Sequence, residues 1–481
     1  MTWETVIGLE VHVQLRTRTK MFCADRTTFG DPPNTNLCPV CLGLPGALPV
    51  PNAEAIRLAT RAGLALGCTI HETSVFARKN YFYPDLPKGY QISQFDKPLA
   101  TGGSVSFESA ERGRVRVGIT RLHVEEDAGK LLHDRFPGKT AIDLNRAGIP
   151  LVEIVSEPDL RSPAEARAYL SVLRQILVYV GVSDCSMEQG SLRVDANISI
   201  RRPGEARLGT KTEVKNMNSF ANVERALEAE RARQVALLES GHRVEPVTLL
   251  FNAGTGQVKP TRSKEESHDY RYFPDPDLPP LVLTRDWIEE QRAALPELPE
   301  AKRSRLERTY ALPAYDARVI TSEVELAQYF EEVVRRSVDP KVAANWVMGD
   351  VMTTYKELGD FPVSPEKLAG LIGLVQDGTL SHQAAKRVYA ELARSPEEDP
   401  RSVADRLGLV QVSDQAALAG WVEEVLAANP GEVARFRNGE TKLMAFFVGQ
   451  VMKRSKGKAD PKGVQPVLQE RLGGAAEVES K

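Results

Sequence analysis

The stretch VIGLEVHVQL at residues 6–15 alternates apolar and polar side chains at the spacing of a β-strand. Its apolar residues face one way, and its polar residues, Glu10, His12 and Gln14, face the other. A carboxylate and an imidazole that lie two residues apart on one strand face can hold a divalent cation. The stretch therefore predicts a strand that carries part of a cation site. A surface strand with an unrelated Glu and His is the other interpretation.

Length and composition bound the class of protein. A chain of 481 residues is too long for one hydrophobic core and predicts two to four domains. Its 42% hydrophobic and 26% charged residues are typical of a soluble globular protein. Because no run of about 18 apolar residues and no signal-like N-terminus occurs, we expect a cytoplasmic protein. The net charge of −3 excludes a chain that is basic throughout, so any nucleic-acid contact needs a local basic patch.

A Pro- and Gly-rich region after the first strand carries three of the five cysteines. Cys38-Pro-Val-Cys41 is a CxxC pair, a spacing that lets two thiolates bind one Zn²⁺. Cys23 is followed two residues later by Asp25 and not by a second cysteine. A zinc site with these four residues is one interpretation, and reduced structural cysteines without a metal are the other. The odd number of cysteines does not suggest a disulfide framework.

The segment FARKNYFYPDLPKGYQISQ, residues 76–94, places lysines and tyrosines among prolines. It is too aromatic for a solvated loop and too irregular for a helix. We interpret it as a wall that binds phosphate through Lys79 and contacts bases through tyrosines such as Tyr81. A rigid loop whose aromatic side chains only pack is the alternative.

Two further apolar segments carry acidic residues. RVRVGITRLHVEEDAG, residues 114–129, predicts a strand that runs into an acidic cluster. Because neighbours on a strand face opposite ways, only one of Glu125 and Glu126 should join a site, and the sequence does not decide which. Glu153 interrupts the apolar run at residues 149–155. A carboxylate there is costly unless it is paired or bound to a cation, so Glu153 is a ligand candidate.

The stretch SLRVDANISI, residues 191–200, repeats the alternation and places Arg193, Asp195 and Asn197 on its polar face. Such groups can hold Mg²⁺ and a phosphoryl oxygen, although a polar sheet surface is the alternative. Lys215 follows in TKTEVKNMNS. Ser219 then predicts the cap of a helix over residues 220–239 that ends at a glycine.

Beyond about residue 290 the chain loses its strand-like alternation and becomes rich in helical patterns. The stretch SPEEDP at residues 395–400 is typical of a linker. The last predicted helix ends in a basic cluster, Lys453, Arg454, Lys456 and Lys458. A basic end on a small helical domain is a candidate for contacts with RNA phosphates, and a solvated helix terminus is the other interpretation.

The combination of strand-borne acids, a histidine and Lys-rich aromatic loops indicates phosphoryl transfer to an acceptor, promoted by positioning and cations. No P-loop of the form GxxxxGK[ST] occurs in the chain. Any nucleotide site must therefore be of another design.

Several segments resemble the B subunit of the bacterial aspartyl/glutamyl-tRNA amidotransferase, and the likeness continues into the tail. The segments are VIGLEVHVQL, KNYFYPDLPKGYQISQ, LHVEEDAGK, DLNRAGIPLVEIVSEPD, SLRVDANIS, EVKNMNSF, DYRYFPDPDLPP, DGTLSHQAAKRVY and FFVGQVMKRSKGKADP. The resemblance implies an ATP-dependent ligase that forms carbon–nitrogen bonds with glutamine as amido donor. Such an enzyme phosphorylates the side-chain carboxylate of Asp or Glu mischarged on tRNA(Asn) or tRNA(Gln), and ammonia then displaces the phosphate.

The resemblance also implies cofactors and partners. The cofactors are ATP and Mg²⁺. The partners are a glutaminase A subunit and a small C subunit in a heterotrimer, together with mischarged tRNA(Asn) or tRNA(Gln). The non-discriminating aminoacyl-tRNA synthetase is a further candidate partner, and no membrane is involved. Which of Asp-tRNA(Asn) and Glu-tRNA(Gln) is the substrate depends on the synthetases of the cell.

The expected site residues fall into three sets, of which the resemblance implies the first. The catalytic and Mg²⁺-binding set is Glu10, His12, Glu126 and Glu153, with Glu125 as the alternative of the adjacent pair. The sequence patterns described above give the nucleotide- or substrate-binding set, which is Lys79, Tyr81, Arg193, Asp195, Asn197 and Lys215. The assignment of Asp195 and Asn197 to nucleotide–cation contacts is inferred from strand alternation. The frequent four-cysteine zinc site of the family is altered here at Asp25, so that Zn²⁺ binding by Cys23, Asp25, Cys38 and Cys41 stays open.

The expected fold is α+β. It comprises a mixed-sheet, cradle-like catalytic domain at residues 1–291, a helical domain at 292–400 and a tRNA-binding helical tail at 401–481. Two other classes of function remain: a tRNA-binding scaffold protein without catalysis, and a metal-dependent hydrolase.

Overall fold

The computed structural model describes residues 3–261, 269–411, 415–455 and 459–473. The chain forms two compact units, Met1–Ala301 and Lys302–Lys481. The first unit combines a large mixed sheet with helices and the second is built from helices, which confirms the predicted α+β class. The three predicted domains, with boundaries near residues 291 and 400, stay a prediction. Among the described helices, none has the length and apolarity needed to cross a bilayer.

The elements of the first unit alternate between short strands and a few helices. In chain order they are β1 (Glu4–Gln14), α1 (Ala53–Ala65), β2 (Thr69–Ile70), β3 (Thr73–Ser74), β4 (Phe76–Asn80), β5 (Tyr90–Gln94), β6 (Ala100–Thr101), β7 (Ser104–Ser109), β8 (Gly113–Glu126), β9 (Lys130–Phe136), β10 (Lys139–Asp143), β11 (Pro150–Ser156), α2 (Pro163–Tyr179), β12 (Leu192–Arg201), β13 (Thr212–Lys215), α3 (Phe220–Glu239), β14 (Thr248–Asn252), β15 (Gln257–Pro260), β16 (Phe273–Pro274), β17 (Leu281–Val282) and α4 (Arg285–Ala293).

Ten strands form the main sheet in the order β15-β14-β13-β12-β1-β11-β8-β6-β2, with β7 pairing to β8. The pairs are antiparallel except β13 with β14, so the sheet is mixed, as expected. A separate three-stranded sheet has the order β16-β4-β5. Strand β1 therefore lies between β12 and β11, and the polar positions of all three strands share one face.

The apolar face of β1 is buried in the core of the first unit. Leu9, Val11 and Val13 belong to one hydrophobic cluster with residues of α1, α2 and α3. Helix α3 begins where the sequence predicts, because the Ser219 hydroxyl accepts a hydrogen bond from the backbone N–H of Asn222. Because one face of β1 is buried in the core, the alternation of side chains places Glu10, His12 and Gln14 on the other face.

The second unit consists of short helices. Its first residue, Lys302, lies within α5 (Pro299–Tyr310). The helices that follow are α6 (Ala314–Ile320), α7 (Val324–Arg335), α8 (Pro340–Trp346), a π-helical turn (Val347–Val351), α9 (Met352–Leu358), α10 (Pro365–Gln376), α11 (His382–Leu392), α12 (Pro400–Arg406), α13 (Gln415–Ala428), α14 (Pro430–Arg437), α15 (Leu443–Arg454) and α16 (Pro461–Gly473). Two hydrophobic clusters stabilise it, one from Leu306 to Ala404 and one from Leu418 to Leu472.

Candidate active site

Strand register brings distant polar residues together on the face of the main sheet that carries Glu10 and His12. His12 on β1 lies opposite Glu153 on β11 and opposite Arg193 on β12. Glu153 lies opposite His123 on β8. Directly opposed residues of antiparallel strands share a face, so residues more than 100 positions apart meet at the centre of the sheet.

Two carboxylates and two imidazoles form a compact group, named here the histidine–carboxylate group: His12, His123, Glu125 and Glu153. Nε2 of His12 lies 3.4 Å from Oε2 of Glu153 and 3.8 Å from Oε1 of Glu125. Nε2 of His123 lies 3.4 Å from Oε2 of Glu153 and 3.5 Å from Oε2 of Glu125. Both carboxylates are buried. One ligand atom each from His12, Glu125 and Glu153 lies within 4.8 Å of the others, a donor set that fits a divalent cation.

The imidazoles keep these buried carboxylates ionised. Burial disfavours the charged form of His123, but its hydrogen bonds to Glu125 and Glu153 raise its pKa to about 9. Burial likewise disfavours charge on Glu153, yet the hydrogen bonds from His12 and His123 hold the pKa of that carboxyl well below its usual range. A carboxylate that stays ionised is the form that binds a cation.

The structure places the two adjacent glutamates in different surroundings. Glu125 joins the histidine–carboxylate group, whereas Glu126 points to the other face of β8. There the carboxylate of Glu126 pairs with Lys88 and accepts a hydrogen bond of 2.9 Å from the backbone N–H of Ile92. Strand alternation directs only one of the two toward His12, and that residue is Glu125. Cation binding by either glutamate stays a prediction.

A second acidic group lies beside the first. One oxygen each of Glu10, Asp195 and Glu213 lies within 4.8 Å of the others. Nζ of Lys215 is 2.8 Å from Asp195 and 3.0 Å from Glu213, and Asn197 donates a 3.1 Å hydrogen bond to Glu10. Burial and then the charges of Glu153, Glu213 and Asp195 raise the pKa of Glu10. A cation here would relieve the repulsion among these carboxylates.

Arg193 is held in place by a buried carboxylate. Its guanidinium donates two hydrogen bonds, of 2.8 and 2.9 Å, to the carboxylate of Asp127. The side-chain amide of Gln14 donates a third, of 2.9 Å, to the same carboxylate. A bidentate pair of this kind fixes the plane of the guanidinium, which leaves Arg193 oriented at the edge of the site.

An open cavity of about 1130 Å³ covers the second acidic group. Its lining includes Glu10, His12, Tyr81, Arg193, Asp195, Asn197, Glu213 and Lys215. Lys79 lies beside this lining: burial disfavours its charged form, but the nearby carboxylate of Glu125 raises its pKa. The structure therefore brings five of the six residues predicted for nucleotide or substrate binding to one cavity, and the sixth, Lys79, lies near Glu125.

Two family models match the chain. The one described as GatB/GatE catalytic domain matches residues 5–289, and the one described as GatB domain matches residues 328–472. A protein from Moorella thermoacetica, named as the B subunit of aspartyl/glutamyl-tRNA(Asn/Gln) amidotransferase, is 54% identical over 478 residues. Proteins of the same name from Geotalea uraniireducens and Geobacter sulfurreducens are 53% and 51% identical over 481 residues. Each alignment covers 98% of this chain and 100% of the relative.

The chain belongs to the family of amidotransferase B subunits. This confirms the family resemblance seen in the sequence. The catalytic-domain match contains both acidic groups, and the second match lies wholly within the helical unit.

Three residues lie at the site although the sequence pattern assigns them no role: His123, Glu213 and Asp127. His123 is two residues before Glu125 on β8, a spacing that places both on one face. Glu213 is two residues before Lys215 on β13 by the same logic. Asp127 lies just beyond the end of β8, so alternation does not predict its contact with Arg193.

The four residues predicted as a zinc site come together in the loop after β1. One ligand atom each of Cys23, Asp25, Cys38 and Cys41 lies within 4.8 Å of the others. The thiols of Cys23 and Cys41 lie 3.4 and 3.2 Å from the same oxygen of Asp25. The hydrogen bond from Cys23 lowers the pKa of Cys41 to about 6, although burial opposes this. Three thiol sulfurs and one carboxylate form a donor set that fits Zn²⁺, and zinc binding stays a prediction.

The basic cluster of the tail is only partly described. Lys453 is exposed near the end of α15, and Arg454 pairs with Glu424 at 2.6 Å. Lys456 and Lys458 lie outside the described residues. Contact of these residues with RNA stays a prediction.

Proposed function

We propose that this chain is the component of a tRNA-dependent amidotransferase that activates the side-chain carboxylate of Asp or Glu carried on a mischarged tRNA. The relatives are named for action on aspartyl- and glutamyl-tRNA and for being B subunits of an amidotransferase. By that likeness, the proposed partners are a glutaminase A subunit, a small C subunit and mischarged tRNA(Asn) or tRNA(Gln). ATP is the proposed phosphoryl donor.

The observation that carries the proposal is the side-by-side placement of two acidic groups, of which the second and His12 of the first line one open cavity. A carboxylate is a poor electrophile, and phosphorylation converts one of its oxygens into a leaving group. The reaction crowds the negative charges of a triphosphate against that of the substrate carboxylate. A site for this reaction needs positive charge that offsets the crowding. Cations bound at the acidic groups would supply part of that charge, and basic side chains would supply the rest.

The donor atoms fit divalent cations at both acidic groups. His12, Glu125 and Glu153 would hold one cation, and Glu10, Asp195 and Glu213 would hold another. Bound Mg²⁺ would supply positive charge that lowers the repulsion between phosphate and carboxylate oxygens. Without any cation, Lys215 already neutralises part of the second group through its contacts with Asp195 and Glu213.

The basic side chains have separate roles in this proposal. Arg193, fixed by Asp127, presents its guanidinium to a phosphoryl or carboxylate oxygen at the cavity edge. Lys79 and Lys215 approach the centre from different elements, β4 and β13. Tyr81 contributes a ring and a hydroxyl to the cavity wall. Together they orient an anionic substrate before it reacts.

The test is ADP release by the complete complex with ATP, Mg²⁺ and mischarged tRNA, compared with the same tRNA uncharged. We expect release only with the mischarged tRNA. The His12→Ala variant should fold and lose about 100-fold or more of this activity, because it removes a group that faces the reacting charges. His242→Ala, at an exposed turn after α3, is the matched control and should keep full activity.

Two outcomes would contradict the proposal. A scaffold protein would bind mischarged tRNA while neither the wild-type complex nor any variant releases ADP in response to it. A metal-dependent hydrolase would cleave an ester without ATP.

A further inference from the structure

Four aromatic residues that flank the strands of the three-stranded sheet form a continuous row of rings, named here the aromatic row: Tyr81, Tyr270, Tyr272 and Phe95. The ring centroids of Tyr81 and Tyr270 are 6.0 Å apart, and those of Tyr270 and Tyr272 are also 6.0 Å apart. Tyr272 then stacks on Phe95 with a centroid distance of 4.2 Å and an angle of 3° between the rings. Contacts at these distances and angles define a fixed surface.

Backbone pairing makes this surface rigid. Strand β16 pairs with β4, with Phe273 opposite Arg78. Asn80 at the end of β4 donates from its backbone N–H to the carbonyl of Tyr270 at 2.9 Å, and its side-chain amide donates to the carbonyl of Arg271 at 2.8 Å. The rings are therefore held on ordered backbone.

One end of the aromatic row lies at the candidate active site. Tyr81 lines the large cavity, and Nζ of Lys79 lies 4.8 Å from the centroid of the Tyr270 ring. Burial and then the charges of Asp85 and Glu125 raise the pKa of Tyr81. The row therefore starts next to the histidine–carboxylate group.

The other end of the row is open and apolar. Phe95 and Phe273 are each 45% exposed. They border a small cavity of about 150 Å³ lined by Val75, Ala77, Phe95, Asp96, Lys97, Tyr272, Phe273 and Pro274. Single exposed phenylalanines are common, but the stacked pair of Tyr272 and Phe95 ends in a cavity and offers a flat apolar face. Asp96 and Lys97 also line this cavity.

Flat aromatic faces with a neighbouring positive charge suit unpaired nucleotides. Their bases stack on aromatic rings, and their phosphates are attracted to lysine. Lys79 lies near the start of the row and Lys97 at its far end. A substrate amino acid that is esterified to the end of an RNA has nucleotides attached to it, and these need a surface that leads away from the reacting carboxylate. The aromatic row leads from the large cavity to the small one.

We propose that the aromatic row and the cavity beside Phe95 bind the unpaired 3′-terminal bases of the aminoacylated tRNA. This inference rests on the proposed function, since it requires that the substrate be attached to RNA. The shared chemistry is a stacked nucleobase, which could also belong to ATP. The experiment therefore measures both substrates separately.

The test uses the complete complex carrying Phe95→Ala or Phe273→Ala, with steady-state kinetics in mischarged tRNA and in ATP. Loss of one stacking contact should raise the KM for tRNA about tenfold and leave the KM for ATP unchanged. Phe95→Trp keeps a stacking ring and should retain the wild-type KM. Phe29→Ala is the matched control, because Phe29 is 69% exposed in the same unit and lies outside the row.

A binding measurement complements the kinetics. A fluorescent single-stranded RNA ending in CCA should bind the wild-type complex and compete with tRNA, and Phe95→Ala should weaken that binding.

Three results would overturn the inference: a raised KM for ATP alone, an unchanged KM for both substrates, or an equal loss in Phe95→Ala and Phe95→Trp. Each of these results counts against the inference only if the wild-type complex releases ADP in response to mischarged tRNA. Failure of the wild type to do so would instead contradict the proposed function.

Discussion

Glu125 and Glu126 are consecutive residues of β8 whose carboxylates lie on opposite faces of the main sheet. Glu125 meets the imidazoles of His12 and His123, and Glu126 meets the ammonium group of Lys88. One glutamate therefore belongs to the candidate active site, and its neighbour belongs to a buried ion pair that holds the loop before β5. The two should respond differently to the same substitution.

Glu125→Gln should keep the fold and lose tRNA-dependent ADP release, because it removes one charge from the histidine–carboxylate group. Glu126→Gln should lower the free energy of unfolding by about 3 kcal/mol, because it leaves buried Lys88 without its counter-charge. Denaturant unfolding and ADP release, measured on both variants, check this. The reverse pattern would mean that Glu126 is the residue that serves the chemistry.

A second prediction concerns stability in acid. Glu165, in the first turn of α2, accepts two hydrogen bonds of 2.7 Å from Arg112. Burial opposes ionisation, but these bonds hold the pKa of Glu165 below its ordinary value of 4.5. A group with a depressed folded pKa stabilises the fold above its unfolded pKa, and that stability disappears as pH falls through the folded pKa.

The free energy of unfolding should therefore fall more steeply below pH 4.5 in the wild type than in Arg112→Gln, which lacks this contact. Equal slopes for the two proteins between pH 7 and about pH 3 would contradict this account of the pair.

The cysteine site gives a third prediction. Protein purified without chelator should contain at most one zinc per chain, and Cys38→Ser should lower that content. Cys68→Ser is the matched control, because Cys68 is buried away from the other three thiols and burial raises its pKa to about 12. Asp25→Cys should hold zinc against a stronger chelator than the wild type does, since it completes a four-thiolate site. Wild-type protein with no zinc in elemental analysis would favour structural cysteines.

The tail gives a fourth prediction. Lys453→Ala should raise the KM for tRNA severalfold, because it removes one predicted phosphate contact. It should also reduce the slope of the logarithm of the binding constant against the logarithm of salt concentration by about one. Lys356→Ala, at an exposed position of α9, is the matched control. A point substitution is cleaner than truncation from Arg401, which would remove Val403 and Ala404 from the first hydrophobic cluster of the helical unit. An unchanged KM with a lowered kcat would contradict a role in RNA binding.

Local signals made part of the fold predictable. The alternation in β1 separates core residues from Glu10 and His12, and Ser219 marks the start of α3, because both depend only on neighbours in sequence. Strand order depends on pairing between distant segments, so the sequence could not reveal that His123 faces Glu153 or that Glu213 joins Glu10. The face of Glu125 was undecided for the same reason. It follows from the pairing of β8 with β11, and not from either strand alone.

The most direct test of the account follows an oxygen atom. The complete complex is given Asp-tRNA(Asn) or Glu-tRNA(Gln) labelled with ¹⁸O in the side-chain carboxylate, with ATP, Mg²⁺ and glutamine. When that carboxylate is phosphorylated and ammonia attacks its carbon, one carboxylate oxygen stays in the amide and the other leaves with the phosphate. We predict one ¹⁸O atom in inorganic phosphate for each amide formed. Full amide formation with unlabelled phosphate would contradict activation of the carboxylate by phosphorylation.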